Sequence, residues 1–588
     1  MIDAAKLPDD PEASGRVLFA LSLAAGALLR LVLLGQPDLS GPDEGVWALG
    51  ARNLVEGGIP QFFGLSAEPL GDPSGVPVFF PVVLSLMVRV FGPVEWAIRL
   101  PSVVAGLVGA FVLERLVRRG YGQPAGHFAG AFAALLPPLV SSSRAATVET
   151  TLVALGLGGV IFGIRAFEED RTAEAALSGY LFGCGFLAKG DAVFLFLGPL
   201  LAALLFRPRL FGLGKVVRSL VLLLGTFVLT GGSHLLLTAL FRPEAVGRQL
   251  AIAFGDPGSG LEAAHGTAFG ADLKTLVGAL FLFLPLAGLG AAYLLRPLGE
   301  NEVASGATDG PRRLDHGVLW GVYGVELLVL VAASGKLSLS SIPVLPAIAA
   351  FAGFGAAALV TPAGDGRRKA ETTWTVVAGL VVLAAAGFFA SLPDQPLFGG
   401  RRAPLVSGSA LSGIAATAAF GALLAAGVGA RRFGRRLSTG FIAALLVAAG
   451  IESAGFIRRE LLTHRTFARE IADQISPAVA KRTPRELAFR SPETPALSFL
   501  LFRTGRAWNG DGTAATVAAD FREGTVAFWA FRDGMPRGPE APDAAARALL
   551  ESRTREVTAD VTARAGRPVG VRVFVAEPLT PAAAAPGP

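Results

Sequence analysis

The sequence predicts an all-α polytopic membrane protein of about thirteen transmembrane helices, followed by a C-terminal extracytoplasmic α/β domain. Three observations carry this reading. Hydrophobic residues make up 52% of the 588 residues and charged residues only 17%, where an ordinary soluble domain has about 25% charged. Apolar runs long enough for the ~30 Å hydrocarbon core recur along most of the chain. After residue 456 the charges return and short alternating patterns replace the long runs. The same composition excludes a disordered chain, which would be polar and charge-rich. The single cysteine, Cys184, excludes a disulfide scaffold and reads as a small buried hydrophobe. The net charge is +6, but no basic stripe is interleaved with aromatics, so nucleic acid is not an expected partner.

In chain order, residues 1–16 hold four acids with Lys6 and Arg16, too polar for a signal peptide, and are expected to stay cytoplasmic. The membrane domain runs over 17–456, with spans at 17–34, 99–117, 124–142, 147–166, 174–188, 191–206, 217–240, 275–295, 317–334, 342–360, 373–391, 410–429 and 439–456. The run at 77–92 carries Arg89 and is ambiguous between a span and an interfacial helix. Loop charge decides it. Basic clusters stand at Arg115/Arg118/Arg119, Arg207/Arg209/Lys215/Arg218, Arg312/Arg313, Arg367/Arg368/Lys369 and Arg431/Arg432/Arg435/Arg436. All fall on one side, the cytoplasmic one, only if 77–92 lies flat. Residues 35–98 then form a first outer loop, and the C-terminus is outside. Residues 457–580 are expected to form the α/β domain. Helices are expected near 464–480, 495–503 and 541–551, with strands at 486–490, 525–532 and 569–577; residues 581–588 make a frayed tail.

The residues able to do chemistry sit in the outer loops. Asp43 and Glu44 follow the first span and open a short amphipathic helix, where acids cap a helix start or accept a proton. Glu149 stands at the outer edge of the fourth span, facing either solvent or a cavity. Arg144, five residues earlier, either binds phosphate or snorkels. Lys189, in the tight Leu187-Ala188-Lys189-Gly190-Asp191 turn, is a point charge suited to phosphate or to a pair with Asp191. Arg242 and Lys336 add outer cations. Arg30 lies inside the first span, and Arg99 breaks the positive-inside bias. Glu262 and His265 are the candidate metal ligands, without tight ligand spacing, so no cofactor is assigned beyond a divalent metal that they could hold.

The order of these features resembles a known family. One span, then PDEGVWALGARNL, then an amphipathic run ending Val90-Phe91-Gly92-Pro93, then the Arg144–Glu149 loop and the Leu187-Ala188-Lys189-Gly190 turn, is similar to the integral-membrane glycosyltransferases of the C-type (GT-C) fold. The branch is that of protein O-mannosyltransferases and the aminoarabinose transferase of lipid A. The likeness covers the first ~210 residues and returns at Ser334–Pro346. It implies a donor sugar on a polyprenyl phosphate, a hydroxyl acceptor (protein, lipid or cell-envelope glycan), and inversion at the anomeric carbon. Asp43 matches the family base, Glu44 its neighbour, Glu149 the second loop acid and Lys189 the lysine of the turn. Two departures stand out: Asp72-Pro73 replaces a basic-Pro-Pro sequence, and Ser340-Ser341 replaces an Arg-Tyr pair. The alternatives are a transporter or flippase of lipid-linked or anionic substrates, and an inactive scaffold of the same fold. The Ala-, Gly- and Arg-rich usage suggests a GC-rich bacterial genome, hence the bacterial cytoplasmic (inner) membrane.

Overall fold

Hydrophobic runs become helices along the chain in the computed structural model, and prolines and glycines set many of their ends. The structure describes residues 11–36, 41–62, 78–190, 193–206, 212–241, 283–294, 316–333, 345–360, 435–463, 487–490, 494–501, 504–506, 513–523, 528–532, 542–565 and 571–576, with a few isolated positions between them. The helices run α1 (Pro11–Leu31), α2 (Gly41–Phe62), α3 (Phe79–Phe91), α4 (Glu95–Tyr121), α5 (Gln123–Leu135), α6 (Pro137–Arg144), α7 (Val148–Glu169), α8 (Thr172–Ala188), α9 (Phe194–Phe206), α10 (Leu213–Phe241), α11 (Leu284–Leu294), α12 (His316–Ala333), α13 (Leu345–Val360) and α14 (Arg435–Thr463). The chain divides into two compact units, Met1–Val32 with Pro101–Arg458, and Leu33–Leu100 with Arg459–Pro588.

The first unit is a helical bundle around Phe128, Phe132, Phe182, Phe196, Trp320 and Tyr323, all fully buried. Among the described residues five helices of the chain are long and apolar enough to cross a membrane: Glu12–Leu31, Glu95–Tyr121, Val148–Glu169, Leu213–Ser233 and Ser438–Gly455. The protein is a multi-pass membrane protein. Lipid offers no hydrophobic drive between spans, so packing depends on close approach at small residues. Gly179 lies on the Leu223 carbonyl and Gly355 on the Leu286 carbonyl, where a Cβ would collide with backbone. α10, by contrast, turns Val221, Val228, Leu229 and Leu236 outward, as a lipid-facing helix does.

Ion pairs gather at one end of this bundle. Arg119, at the end of α4, reaches Glu168 at 2.6 Å and Glu169 at 2.7 Å, at the end of α7. Asp170, which ends α7 in a left-handed conformation (φ 56°), takes Lys215 at 3.0 Å and Arg218 at 2.8 Å from the start of α10. The first two basic loop clusters therefore share one end. The opposite ends of α7 and α8 carry Glu149 and Lys189.

One expected span is broken. The run at 124–142 is two helices, because Leu136 (φ −60°, ψ 116°) is extended before Pro137 and Pro138. A residue preceding proline is driven out of the α region, and proline has no N–H to continue the ladder. The expected spans at 373–391 and 410–429 lie outside the described residues, and 275–295 is described from Phe283 to Leu294.

The second unit holds α2, α3 and a five-stranded sheet. α3 has 13 residues, about 20 Å at 1.5 Å per residue, too short for a bilayer core. Its Phe80, Leu84 and Val88 are buried, with Trp47 of α2 edge-on to Phe80 at 5.6 Å, while Val82, Leu86 and Val90 are exposed. α2 begins at Gly41 and runs 22 residues, so Asp43 and Glu44 stand inside its first turn. The sheet comprises β1 (Leu487–Arg490), β2 (Thr504–Arg506), β3 (Phe528–Arg532), β4 (Thr554–Glu556) and β5 (Val571–Ala576), in the order β2-β1-β3-β5-β4. β1 pairs parallel with β2 and β3; β5 pairs antiparallel with β3 and β4. Helices α15 (Thr494–Leu501), α16 (Ala514–Glu523), α17 (Ala544–Arg553) and α18 (Thr558–Ala565) alternate with the strands. Val517, Trp529, Phe531, Leu550 and Phe574 form the core, and the Trp529 indole N–H donates to Asp520 at 3.2 Å. The expected helix near 464–480 falls mostly outside the described residues. Arg52 of α2 donates to the Phe499 carbonyl, and to that of Leu500 at 3.0 Å, at the end of α15. The first loop and the C-terminal region are thus one unit, which their separation in sequence conceals.

Candidate active site

The α6–α7 connection is short, polar and tied down by its own side chains. Ala145 and Thr147 are extended, which turns the chain sharply between the helices. The Thr147 hydroxyl donates to the Ser142 carbonyl at 3.0 Å, the Ser102 hydroxyl donates to the Thr147 carbonyl at 3.1 Å, and Ser142 and Thr150 share a hydroxyl bond at 3.1 Å. This places Glu149 in the first turn of α7, where free N–H groups and the helix dipole favour a carboxylate.

Lys189 arrives from the neighbouring helix. It follows the last residue of α8 in extended conformation (φ −158°, ψ 98°), and its N–H donates to the Gly185 carbonyl at 2.8 Å. Its ammonium meets the Glu149 carboxylate at 3.0 Å, with the two side chains 28% and 10% exposed. Two residues 40 positions apart, each singled out by its loop, thus form one pair. Asp191, the partner considered from sequence, lies outside the described residues.

Arg144 reaches back to the end of α1. It is buried, and one guanidinium nitrogen donates to the carbonyls of Leu29 at 2.8 Å, Arg30 at 3.1 Å and Val32 at 2.8 Å. The last carbonyls of a helix have no N–H partner, and a cation at that end is favoured. Arg144 therefore caps α1. Arg30 answers from α1. It is fully buried, and donates to the Ser143 hydroxyl at 2.7 Å, the Ala134 carbonyl at 2.7 Å and the Gly26 carbonyl at 3.0 Å. Ala134 is the residue whose helical donor would be Pro138. The next carbonyl, Leu135, takes the Ser453 hydroxyl of α14 at 2.9 Å.

In the second unit, Asp43 stands in the first turn of α2 beside Glu44. Glu44 forms a fork with Arg99: Nε to Oε1 at 2.7 Å and Nη2 to Oε2 at 2.9 Å, both side chains 1% exposed. A third guanidinium N–H donates to the Leu34 carbonyl at 2.9 Å. Glu44 therefore orients the start of α2.

Arg242, Lys336, Glu262 and His265 lie outside the described residues. Among the described residues no group of three or more His, Cys, Asp or Glu could hold a metal. The sequence reading missed Glu326. Among the described residues, nothing hydrogen-bonds its Oε2, the Tyr323 hydroxyl or the Trp320 indole N–H, all on α12. An acid in the middle of an apolar run was the available signal.

Three comparisons bear on this geometry. Residues 75–233 match the family described as dolichyl-phosphate-mannose-protein mannosyltransferase. The Bacillus subtilis protein named "Putative mannosyltransferase YycA" is 27% identical over 212 residues, 35% of this chain and 30% of that protein, so the match spans under a third of the relative. Among solved structures, ArnT from Cupriavidus metallidurans bound to undecaprenyl phosphate aligns with a TM-score of 0.58 at 18% identity, covering 95% of this chain and 99% of ArnT. The apo Archaeoglobus fulgidus oligosaccharyltransferase aligns with a TM-score of 0.50 at 10% identity, covering 92% and 73%. At these identities what is shared is the fold.

Proposed function

From a chain with the C-type fold of the integral-membrane glycosyltransferases, we propose transfer of a sugar from a polyprenyl phosphate to a hydroxyl acceptor at the outer face of a bacterial cytoplasmic membrane. In this reading residues 1–16 are cytoplasmic, 17–456 form the membrane domain with a first outer loop at 35–98, 457–580 form the extracytoplasmic α/β domain, and 581–588 are a tail. The acceptor is a protein, lipid or envelope-glycan hydroxyl.

The observation that carries the reading is the Glu149–Lys189 pair, at the bundle end opposite the arginine-rich one. Lys/Arg-rich ends face the cytoplasm, so this pair faces outward. A lysine there supplies the positive charge that a phosphate leaving group needs in a low-dielectric setting. The acceptor oxygen attacks the anomeric carbon, the bond from that carbon to the phosphate oxygen breaks, and the configuration inverts. The acceptor proton passes to Asp43, held by the α2 turn that Glu44 and Arg99 pin. A polyprenyl phosphate is already a good leaving group, so positioning and charge stabilisation suffice.

The test is release of polyprenyl phosphate from a polyprenyl-phosphate sugar by purified protein supplied with membrane extract. Asp43→Asn abolishes release in this reading, and an unchanged rate overturns it. Glu326, an acid in the middle of the span expected at 317–334, favours a transporter of lipid-linked substrates as the second reading. Movement of substrate across a vesicle membrane without cleavage would decide for that one.

A further inference from the structure

Lys189 does not wait empty for a phosphate. Its ammonium is 3.0 Å from the Glu149 carboxylate. Resting on the proposed function, we propose that Glu149 and the lipid phosphate compete for the Lys189 ammonium. The pair opens when donor binds, and its re-formation drives off the lipid-phosphate product.

The pair is built to exchange. Lys189 is the more open member at 28% exposed, against 10% for Glu149, so an incoming anion reaches the ammonium first. Glu149 sits in the first turn of α7, and Lys189 directly follows the last turn of α8. Each charge therefore stands at the helix end that stabilises its own sign without the other. A lysine ammonium is a point charge on a flexible stem, with no fork geometry to lose when its partner changes. The Glu44–Arg99 pair differs in exposure and geometry: both members are 1% exposed, joined by two bonds, and the arginine is also fixed to the Leu34 carbonyl.

Charge gives the exchange its direction. The donor is a phosphodiester with one negative charge. The product is a phosphate monoester carrying about −1.5 to −2 near neutral pH. Lys189 alone would hold the product more tightly than the donor and slow every turnover. A carboxylate beside the ammonium opposes the more highly charged species more strongly. Glu149 thereby tilts the site towards donor and against product.

The experiment measures binding of undecaprenyl phosphate, and of its methyl diester, to the full-length protein in detergent. Glu149→Gln should tighten the monoester roughly tenfold, equivalent to about 1.4 kcal/mol, and the diester by less. Lys189→Met should weaken both ligands. Glu149→Asp keeps the charge and should bind the monoester more weakly than Glu149→Gln does, which separates loss of charge from misfolding; elution as a single species checks the fold of each variant. Weaker or unchanged monoester binding by Glu149→Gln overturns the competition, and so does an equal gain for both ligands. If the wild type binds neither ligand, it is the proposed function that fails.

Discussion

Glu44 and Arg99 show how one buried pair holds an acid in place at a helix start. Taking two charges out of water is costly, and the fork geometry and the extra bond to Leu34 help offset it. Removing one partner leaves the other charge buried without its ion pair. Arg99→Met is therefore expected to cost about 3–5 kcal/mol, read as a fall in the thermal unfolding midpoint in detergent. The double change Arg99→Met with Glu44→Met should recover much of that loss; a double variant as unstable as the single would show that the pair is not the cause. Sequence made half of this visible. Arg99 drew notice as an outer arginine against the charge bias, and Glu44 as the neighbour of Asp43. Their pairing is a contact across 55 residues that no local pattern encodes. Arg144 shows the converse: its residue type suits phosphate, and in the fold one of its guanidinium nitrogens donates to carbonyls at the end of α1.

At the scale of elements, the break between α5 and α6 is the informative feature. Pro138 removes the N–H that Ala134 needs, and in a membrane bundle no bulk water replaces it. Arg30 and Ser453 fill the gap from two other helices, while Arg144 ties α6 back to α1. Polar groups inside the span thus serve the backbone. Arg30→Met should cost roughly 1–3 kcal/mol, the penalty for an unsatisfied buried carbonyl. Pro138→Ala restores the missing donor, so the loss caused by Arg30→Met should shrink in that background. Equal losses in both backgrounds, measured as a double-mutant cycle on unfolding midpoints, would rule this account out. The Pro137-Pro138 pair was in plain view in the sequence. Hydropathy averages across it, however, and reads the span as unbroken.

At the scale of the molecule, the two ends of the bundle carry different chemistry. One gathers Arg119, Lys215 and Arg218 on the acids ending α7; the other carries Glu149 with Lys189. The orientation proposed from charge can be tested with thiol labelling, because the single cysteine, Cys184, is buried. In a Cys184→Ala background, Lys215→Cys, whose lysine is 63% exposed, should react with an impermeant maleimide only after the membrane is opened. Thr513→Cys, at an exposed position of the C-terminal region, should react on intact cells (spheroplasts where an outer membrane intervenes). Labelling of both from the same side would refute the proposed topology.

Composition by itself determined the class of this protein, because burial in lipid is an average over many residues and leaves its mark in any long window. The apolar runs, the charged loops and the acids and lysine set at span ends were legible for the same reason. Tertiary structure alone decided the partners: Glu149 with Lys189, Glu44 with Arg99, Arg30 with a carbonyl that proline had left bare, and the first loop with the C-terminal region. Each of these is a local contact between segments distant in sequence, and a periodicity cannot carry information about where two segments meet.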